Sequence, residues 1–451
     1  GACTPAVDEA SSVVAFLDAP SGLRNRRGVR LLLPTPETGA SLRWEVALRC
    51  LWRRSMITRS LSPPSPDPAC ADSKPGGRVS SLALAAALAG GSFVGAVAAE
   101  APATVAGVGE EIGIEVSVPY VTNRRPEAGG PGQTAYGGER GSPGFGRCSV
   151  VFTPIPVIDQ IARRIPFYVA DETREVTVAH QAAPEAFWTE VQDEIARTAS
   201  GSVVVFVHGY SYGFERHCKA AAELQRSLTG KAVVLMFSWP SNGRPTDYIP
   251  DQADVEWSVP FLARVLAELG DRLGPERVQV LAHSLGSRGV IFALERLGAE
   301  LETRPLIGRL VLMAPDFDAQ TFVERLPDLV PLTAGITLYA SSNDTPLKAS
   351  RQLHDSPRLG EAGEFLTVAE GMHTVDVSPL GRYQALGHEY FRYHPKAAAD
   401  LAELLGEGRS APERAGLRPK RRDGPVYWEL VGDESRSGAG DDPAASPLIT
   451  H

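Results

Sequence analysis

The chain has 451 residues, with 45 Lys and Arg against 54 Asp and Glu, a formal charge of −9, 43% hydrophobic and 22% charged residues. This is ordinary globular composition, and its acidic balance disfavours a generally basic nucleic-acid binder. The five cysteines are scattered without a C-x-x-C spacing, which points away from a disulfide-dense scaffold, from a thiolate zinc site and from a chain held together by sulfur.

Residues 1–78 are rich in arginine and lack sustained apolar periodicity, and PPSPDPACADSKPGGR (63–78) has the make-up of a segment that cannot offset its ordering entropy. This region reads as a disordered leader or linker. SSLALAAALAGGSFVGAVAA (80–99) follows Lys74 and Arg78 and carries no charge, so 79–99 reads as a signal peptide with cleavage near Ala98 or Ala99. A membrane anchor and a buried Ala-rich helix compete with it. The first two place the protein in the cell envelope, the periplasm or outside the cell, with membrane association through 80–99; the third leaves a cytoplasmic location.

From 112 to 405 short β-branched runs alternate with amphipathic windows. Val203–Val207, Val233–Phe237, Val278–Ala282, Leu310–Met313 and Ile336–Ala340 are near-continuous apolar runs, as expected of strands covered on both faces, and Thr374–Val377 is a further strand-like segment. Between them Phe214, Cys218, Ala221 and Leu224, then Phe261, Leu262, Val265, Leu266 and Leu269, then Ile291, Leu294 and Leu297 recur at helical spacing. The alternation predicts an α/β fold, a doubly wound, mainly parallel sheet with helices on both faces. Residues 406–451 read as a tail in which the basic cluster 418–422 breaks the apolar pattern, PVYWEL (425–430) offers anchors for packing back, and the rest is disordered.

The chemistry-bearing segments lie at strand ends. In VVVFVHGYSYG (203–213) a His-Gly pair directly follows an interior strand; the backbone amide of Tyr210 is a candidate oxyanion donor, with His208, Gly209 and Ser211 beside the substrate. VQVLAHSLGSRG (278–289) is strand, sharp small-residue turn and helix, a G-x-S-x-G elbow with Ala282 in the first glycine position. Residues two before and two after the serine must be small, because strand and helix backbones approach there. The turn makes Ser284 the candidate nucleophile and the Leu285 amide the second oxyanion donor, at a helix N-terminus that favours developing negative charge. His283, next to it, reads as a packing or substrate-side residue.

A serine needs a base, and the base an orienting carboxylate. In the order serine, acid, histidine, SSND places Asp344 at the exit of a late strand, with Asp316 and Asp318 in APDFD as runners-up; His388 in LGHEYF is the candidate base, with His373 and His394 as competitors. No metal or organic cofactor is implied: G-x-G-x-x-G, G-x-x-x-x-G-K-[ST] and H-E-x-x-H are all missing. These residues predict a serine hydrolase of carboxylic esters, acting on a small-molecule or lipid ester through an acyl-enzyme. An acyltransferase or peptidase with the same triad, or a non-catalytic envelope binding module, are the alternatives.

The ordered set VSVPYVTNRR (116–125), YGGERG (136–141), CSVVFTPIP (148–156), VHGYSYGFE, FSWPSNG (237–243), AHSLGSR, LVLMAPDFD, LYASSNDTPLKAS and GHEYF resembles a bacterial family of α/β hydrolases of unknown function, esterase- or lipase-like. The resemblance spans about 290 residues. It implies the α/β-hydrolase fold, Ser284, Asp344 and His388 as triad, and Trp239 (in FSWPSNG) and Tyr248 lining or supporting the pocket. Apart from the resemblance, the stretch 240–258 reads as a loop and a candidate cap. Leu285 stands where this family often has Met, and Tyr-Ser follows His-Gly where Tyr-Asn is common.

Overall fold

The computed structural model describes residues 113–128, 134–155, 172–181, 183–302, 304–422 and 424–431. The expectations for 1–78, for the export segment 79–99 and for the end of the tail beyond 431 lie outside the described residues. Among the described residues no helix is long and apolar enough to cross a membrane.

The strands are β1 (Ile114–Ala128), β2 (Thr134–Pro154), β3 (Glu172–Gln181), β4 (Val203–Val207), β5 (Val233–Ser238), β6 (Val278–His283), β7 (Arg309–Met313), β8 (Ile336–Ala340), β9 (His373–Asp376), β10 (Leu417–Arg421) and β11 (Val426–Leu430). The helices are α1 (Pro184–Ala196), α2 (Phe214–Ser227), α3 (Tyr248–Leu273), α4 (Gly286–Glu300), α5 (Ala319–Leu329), α6 (Thr345–His354), α7 (Tyr390–Tyr393) and α8 (Pro395–Gly406). All strands join one sheet in the order β10-β11-β9-β8-β7-β6-β4-β5-β1-β2-β3. Neighbours from β11 through β1 are parallel, and the two outer hairpins, β1–β2–β3 and β10–β11, are antiparallel.

The apolar runs become interior strands because both of their faces are covered. On β4, Val203, Val205 and Val207 pack into one core with Phe187, Leu262, Leu266, Ile291 and Leu294 from α1, α3 and α4. Val204 and Phe206 point to the other core, with Ala221 and Leu224 from α2 and Leu401 from α8. Side chains alternate along a strand, so a run that is apolar at every position serves two helical layers at once. The chain turns to opposite sides after β4, which has β5 on one flank and β6 on the other. That switch point leaves a crevice at the carboxyl ends of β4 and β6, where α/β sheets bind their ligands.

Three features depart from the sequence expectations. Most of the basic cluster 418–422, read as an interruption of the tail, lies in strand β10, and PVYWEL supplies β11, which pairs with β9. Pro419 and the exposed cations of β10 suit an edge strand that must not recruit another chain. The stretch read as a cap loop is a loop only to Asp247; from Tyr248 it is helix α3, with Pro250 in the first turn, where a missing N–H costs nothing, and Pro260 inside.

Sulfur also does more than expected: Cys148 of β2 and Cys218 of α2 form a disulfide, with Cα atoms 6.3 Å apart and 70 residues between them in sequence. Two lone cysteines carry no spacing signal; topology brings them together. Closing a loop of that length restricts the unfolded chain by about 4 kcal/mol in the chain-entropy model. The Cys148→Ala/Cys218→Ala double variant is expected to lose about that much unfolding free energy in urea titrations. An unchanged urea midpoint would show that the bridge adds no stability.

Candidate functional site

The elbow forms where β6 runs into α4. Ser284 sits at φ +52°, in the left-handed region that a side chain rarely adopts. A Cβ at Gly286 would lie 2.3 Å from the His208 carbonyl oxygen, so only glycine lets α4 start against the β4 exit; Ala282, in the first small position, fits fully buried. The turn is tied to the next strand, with Ser284 N–H donating to Met313 O at 3.0 Å and Asp316 N–H to Ser284 O at 3.1 Å. Neither the Leu285 nor the Tyr210 amide donates to a protein acceptor among the described residues.

Asp344 ends the turn after β8 and is wholly buried. One carboxylate oxygen accepts from Leu347 N–H at 2.9 Å, capping α6, and the other accepts from His388 Nδ1 at 2.6 Å. Burial pushes its carboxyl up and the adjacent imidazole draws it back down. Gly387, at φ +66°, lets the preceding loop press on Asn343, where a Cβ would stand 2.4 Å from the carbonyl oxygen, and this close approach seats His388 on Asp344. With Nδ1 committed to the carboxylate, Nε2 is the basic nitrogen.

Ser284 and His388 line one cavity of about 400 Å³, walled mainly by Tyr210, Pro245, Tyr248, Leu347, Leu353 and Leu386. No hydrogen bond joins the serine hydroxyl to the imidazole in this structure. Bonds of this kind are often long in empty sites and shorten when substrate binds. The charged groups on the wall are already paired: Arg216 with Glu389 at 3.1 Å, and Asp316 with Arg358 at 2.8 Å.

The runners-up are engaged elsewhere. Asp316 also accepts from Ser350 Oγ at 2.6 Å and Tyr248 OH at 2.8 Å, and Asp318 caps α5 through Thr321 N–H. His373 begins β9, and His394 caps α8 through Lys396 N–H. Of the expected substrate-side residues, Ser211, Tyr248 and His283 line the cavity; His208, Gly209 and Trp239 do not. His208 and Trp239 are fully buried and stack on each other with ring centroids 4.5 Å apart, while Gly209 packs on the elbow, where a Cβ would meet that of Ser284 at 2.7 Å. They support the floor of the site rather than its wall.

Sequence reasoning missed Arg124 and Asp251, both fully buried. Asp251 of α3 accepts from Ser211 N–H at 2.9 Å, Ser241 Oγ at 2.6 Å and Asn242 N–H at 3.1 Å, holding the turn in which Ser211 has φ +58°. Neither belongs to a local motif; their partners come from distant loops. The described residues contain no group of three or more His, Cys, Asp or Glu suited to holding a metal ion.

Residues 183–407 match the family model described as "Alpha/beta hydrolase of unknown function (DUF900)". The chain belongs to this α/β-hydrolase family. An uncharacterized protein of Nostoc sp. is 39% identical over 61 residues, 14% of this chain and 16% of the relative, so the match spans well under two thirds of that protein. Among solved structures, the chain is similar to a hyperthermophilic esterase from the archaeon Pyrobaculum calidifontis (16% identity, TM-score 0.30, 57% of this chain and 85% of that one). It is also similar to the carboxylesterase EstE1 from a metagenomic library (14%, TM-score 0.29, 58% and 87%) and to a putative α/β hydrolase from Xanthomonas campestris pv. campestris (19%, TM-score 0.25, 46% and 99%). The hydrolase fold rests on the family match and on the chain's own sheet order.

Three imidazoles of the chain, those of His208, His217 and His283, are buried, and burial, reinforced by neighbouring Arg124, His208 and His388 respectively, holds each well below the ordinary value. The unfolded chain therefore binds more protons than the folded one once the pH drops below about 6.5. Their stabilisation is complete above that pH and is lost on acidification, at up to about 1.4 kcal/mol per group per pH unit. Asp251, Asp344 and Asp400, raised by burial, act in the opposite sense and offset part of this as the pH approaches the carboxylate range. The urea midpoint is expected to fall between pH 7 and 5.5; a flat profile over that range would contradict neutral buried imidazoles.

Proposed function

We propose that the protein is a serine hydrolase of carboxylic esters. One observation carries this reading: the strained Ser284 opens into the same apolar cavity as His388, whose Nδ1 is held by a buried Asp344. His388 Nε2 takes the hydroxyl proton as Ser284 Oγ attacks the acyl carbon. The Tyr210 and Leu285 amides hold the oxyanion, and the imidazolium gives its proton to the departing alcohol. Water, activated by the same imidazole, then attacks the acyl-enzyme, releasing the acid and restoring the serine. Asp344 keeps the imidazole in the tautomer that both steps need.

The cavity supports an uncharged, aliphatic acyl group. Its wall is mostly apolar, its charged groups are neutralised within the protein, and Leu353 and Leu386 remain 61% and 54% exposed. Burying such surface against an acyl chain contributes about 25 cal/mol per Å². The Cys148–Cys218 bridge supports an oxidising compartment, the cell envelope or exterior, in line with the export segment expected at 79–99. A fluorophosphonate probe followed by peptide mapping tests the reading without guessing a substrate: label on Ser284 is expected, and an unlabelled folded protein rejects it.

A further inference from the structure

The wholly buried Arg124 side chain spans the floor of the site. Register shifts in the β1–β2 pairing flank it, the kind of irregularity that re-aims a side chain. Its guanidinium donates to Tyr212 O at 2.7 Å, Ser241 O at 2.7 Å, Gly137 O at 3.0 Å and Ser238 Oγ at 2.9 Å, and Nη2 lies 3.3 Å from His208 Nε2. On the other side of that ring, His208 Nδ1 is 2.8 Å from the carbonyl oxygen of Gly209.

These contacts select one protonation state. A guanidinium only donates, so Nε2 must offer its lone pair to Arg124, and Nδ1 must carry the proton that Gly209 O accepts. The opposite tautomer would satisfy the Trp239 carbonyl, 3.1 Å from Nε2, but would set donor against donor at Arg124 and lone pair against lone pair at Gly209. A doubly protonated ring would stand, buried, against a second cation.

Gly209 C=O and Tyr210 N–H belong to the same peptide unit, which is planar and trans. Fixing the carbonyl toward His208 therefore fixes the amide on the opposite edge. We propose that Arg124 and His208 are positioning residues that orient the Tyr210 amide as an oxyanion donor, Arg124 by setting the His208 tautomer and His208 by holding the Gly209 carbonyl. This rests on the reading of Ser284 as nucleophile. It assigns a task to the His of the His-Gly pair, which the cavity itself does not explain.

The test uses the full chain and two readouts. In ¹⁵N-histidine spectra of the wild type, His208 is expected as the neutral Nδ1–H form; an Nε2–H form overturns the proposal, whether or not the protein turns over esters. Fluorophosphonate uptake by Ser284 reports separately on the hydrolase assignment. In kinetics with p-nitrophenyl butyrate, His208→Phe is expected to lose about 10²–10³ in kcat with KM nearly unchanged, as for loss of one oxyanion donor. Inhibition by a boronic acid, whose tetrahedral adduct needs the same amide, should weaken in parallel.

In His208→Asn the side-chain amide stands where Nδ1 was and should recover most of the rate. In His208→Gln the amide is displaced toward the Arg124 side and should not. Arg124→Met is expected to lower kcat in the same sense. If the Phe variant fails to fold, the Asn–Gln pair decides: a clear Asn advantage supports the proposal, and equal rates overturn it, as does a loss that appears in KM instead of kcat.

Discussion

Ser284→Ala is expected to abolish ester hydrolysis, lowering kcat by about 10⁴–10⁶, and to abolish fluorophosphonate labelling. The magnitude follows from the cooperation of the groups involved. Without the hydroxyl there is no acyl-enzyme, and the imidazole of His388 and the amides of Tyr210 and Leu285 can act only on a direct attack by water. Alanine tolerates the left-handed turn no worse than serine does, and the backbone bonds of Ser284 to Met313 and Asp316 do not involve the hydroxyl. The variant should therefore melt close to the wild type. Assay of purified protein on p-nitrophenyl butyrate, with a melting curve beside it, checks both halves. Unchanged turnover in a folded variant would remove Ser284 from the mechanism.

Asp344→Asn is expected to cost about 10⁴ in kcat. An amide can still accept from Leu347 N–H through its oxygen, so the cap of α6 survives, but its NH₂ then faces His388 Nδ1 in place of the carboxylate. Donor would face donor unless the imidazole moves its proton to Nε2, the nitrogen that must be free to take the serine proton. The substitution thus changes a tautomer and leaves the packing nearly intact. Loss of kcat with little change in melting temperature is the expected signature. A variant within tenfold of wild-type activity would show that the buried carboxylate does not orient the base.

Between Val203 and Ala340 the strands begin and end within a residue or two of where the apolar runs do, because covered strands must be apolar at nearly every position, a property written in consecutive residues. The long outer strands β1 to β3 left no such trace. They pair antiparallel with one another at one end of the sheet, and TNRRP and YGGERG mix Gly, Pro and charge in ways that resemble loop until a partner strand is present.

The candidate site divides along the same line. The small residues around Ser284, the acid at the exit of β8 and the histidine two residues beyond Leu386 are local features, each dictated by a turn that only certain residues can make. Arg124 under the 208–212 loop, Asp251 behind Ser211, the Asp316–Arg358 pair and the Cys148–Cys218 bridge join residues 40 to 117 positions apart in sequence. So does the removal of His208 and Trp239 from the cavity wall. Short-range sterics and hydrophobic periodicity are encoded residue by residue, so they can be read in order. Which buried polar group meets which is settled only when the sheet has brought distant segments together, because a charge or hydrogen-bonding group withdrawn from water must find its partner wherever the fold supplies one.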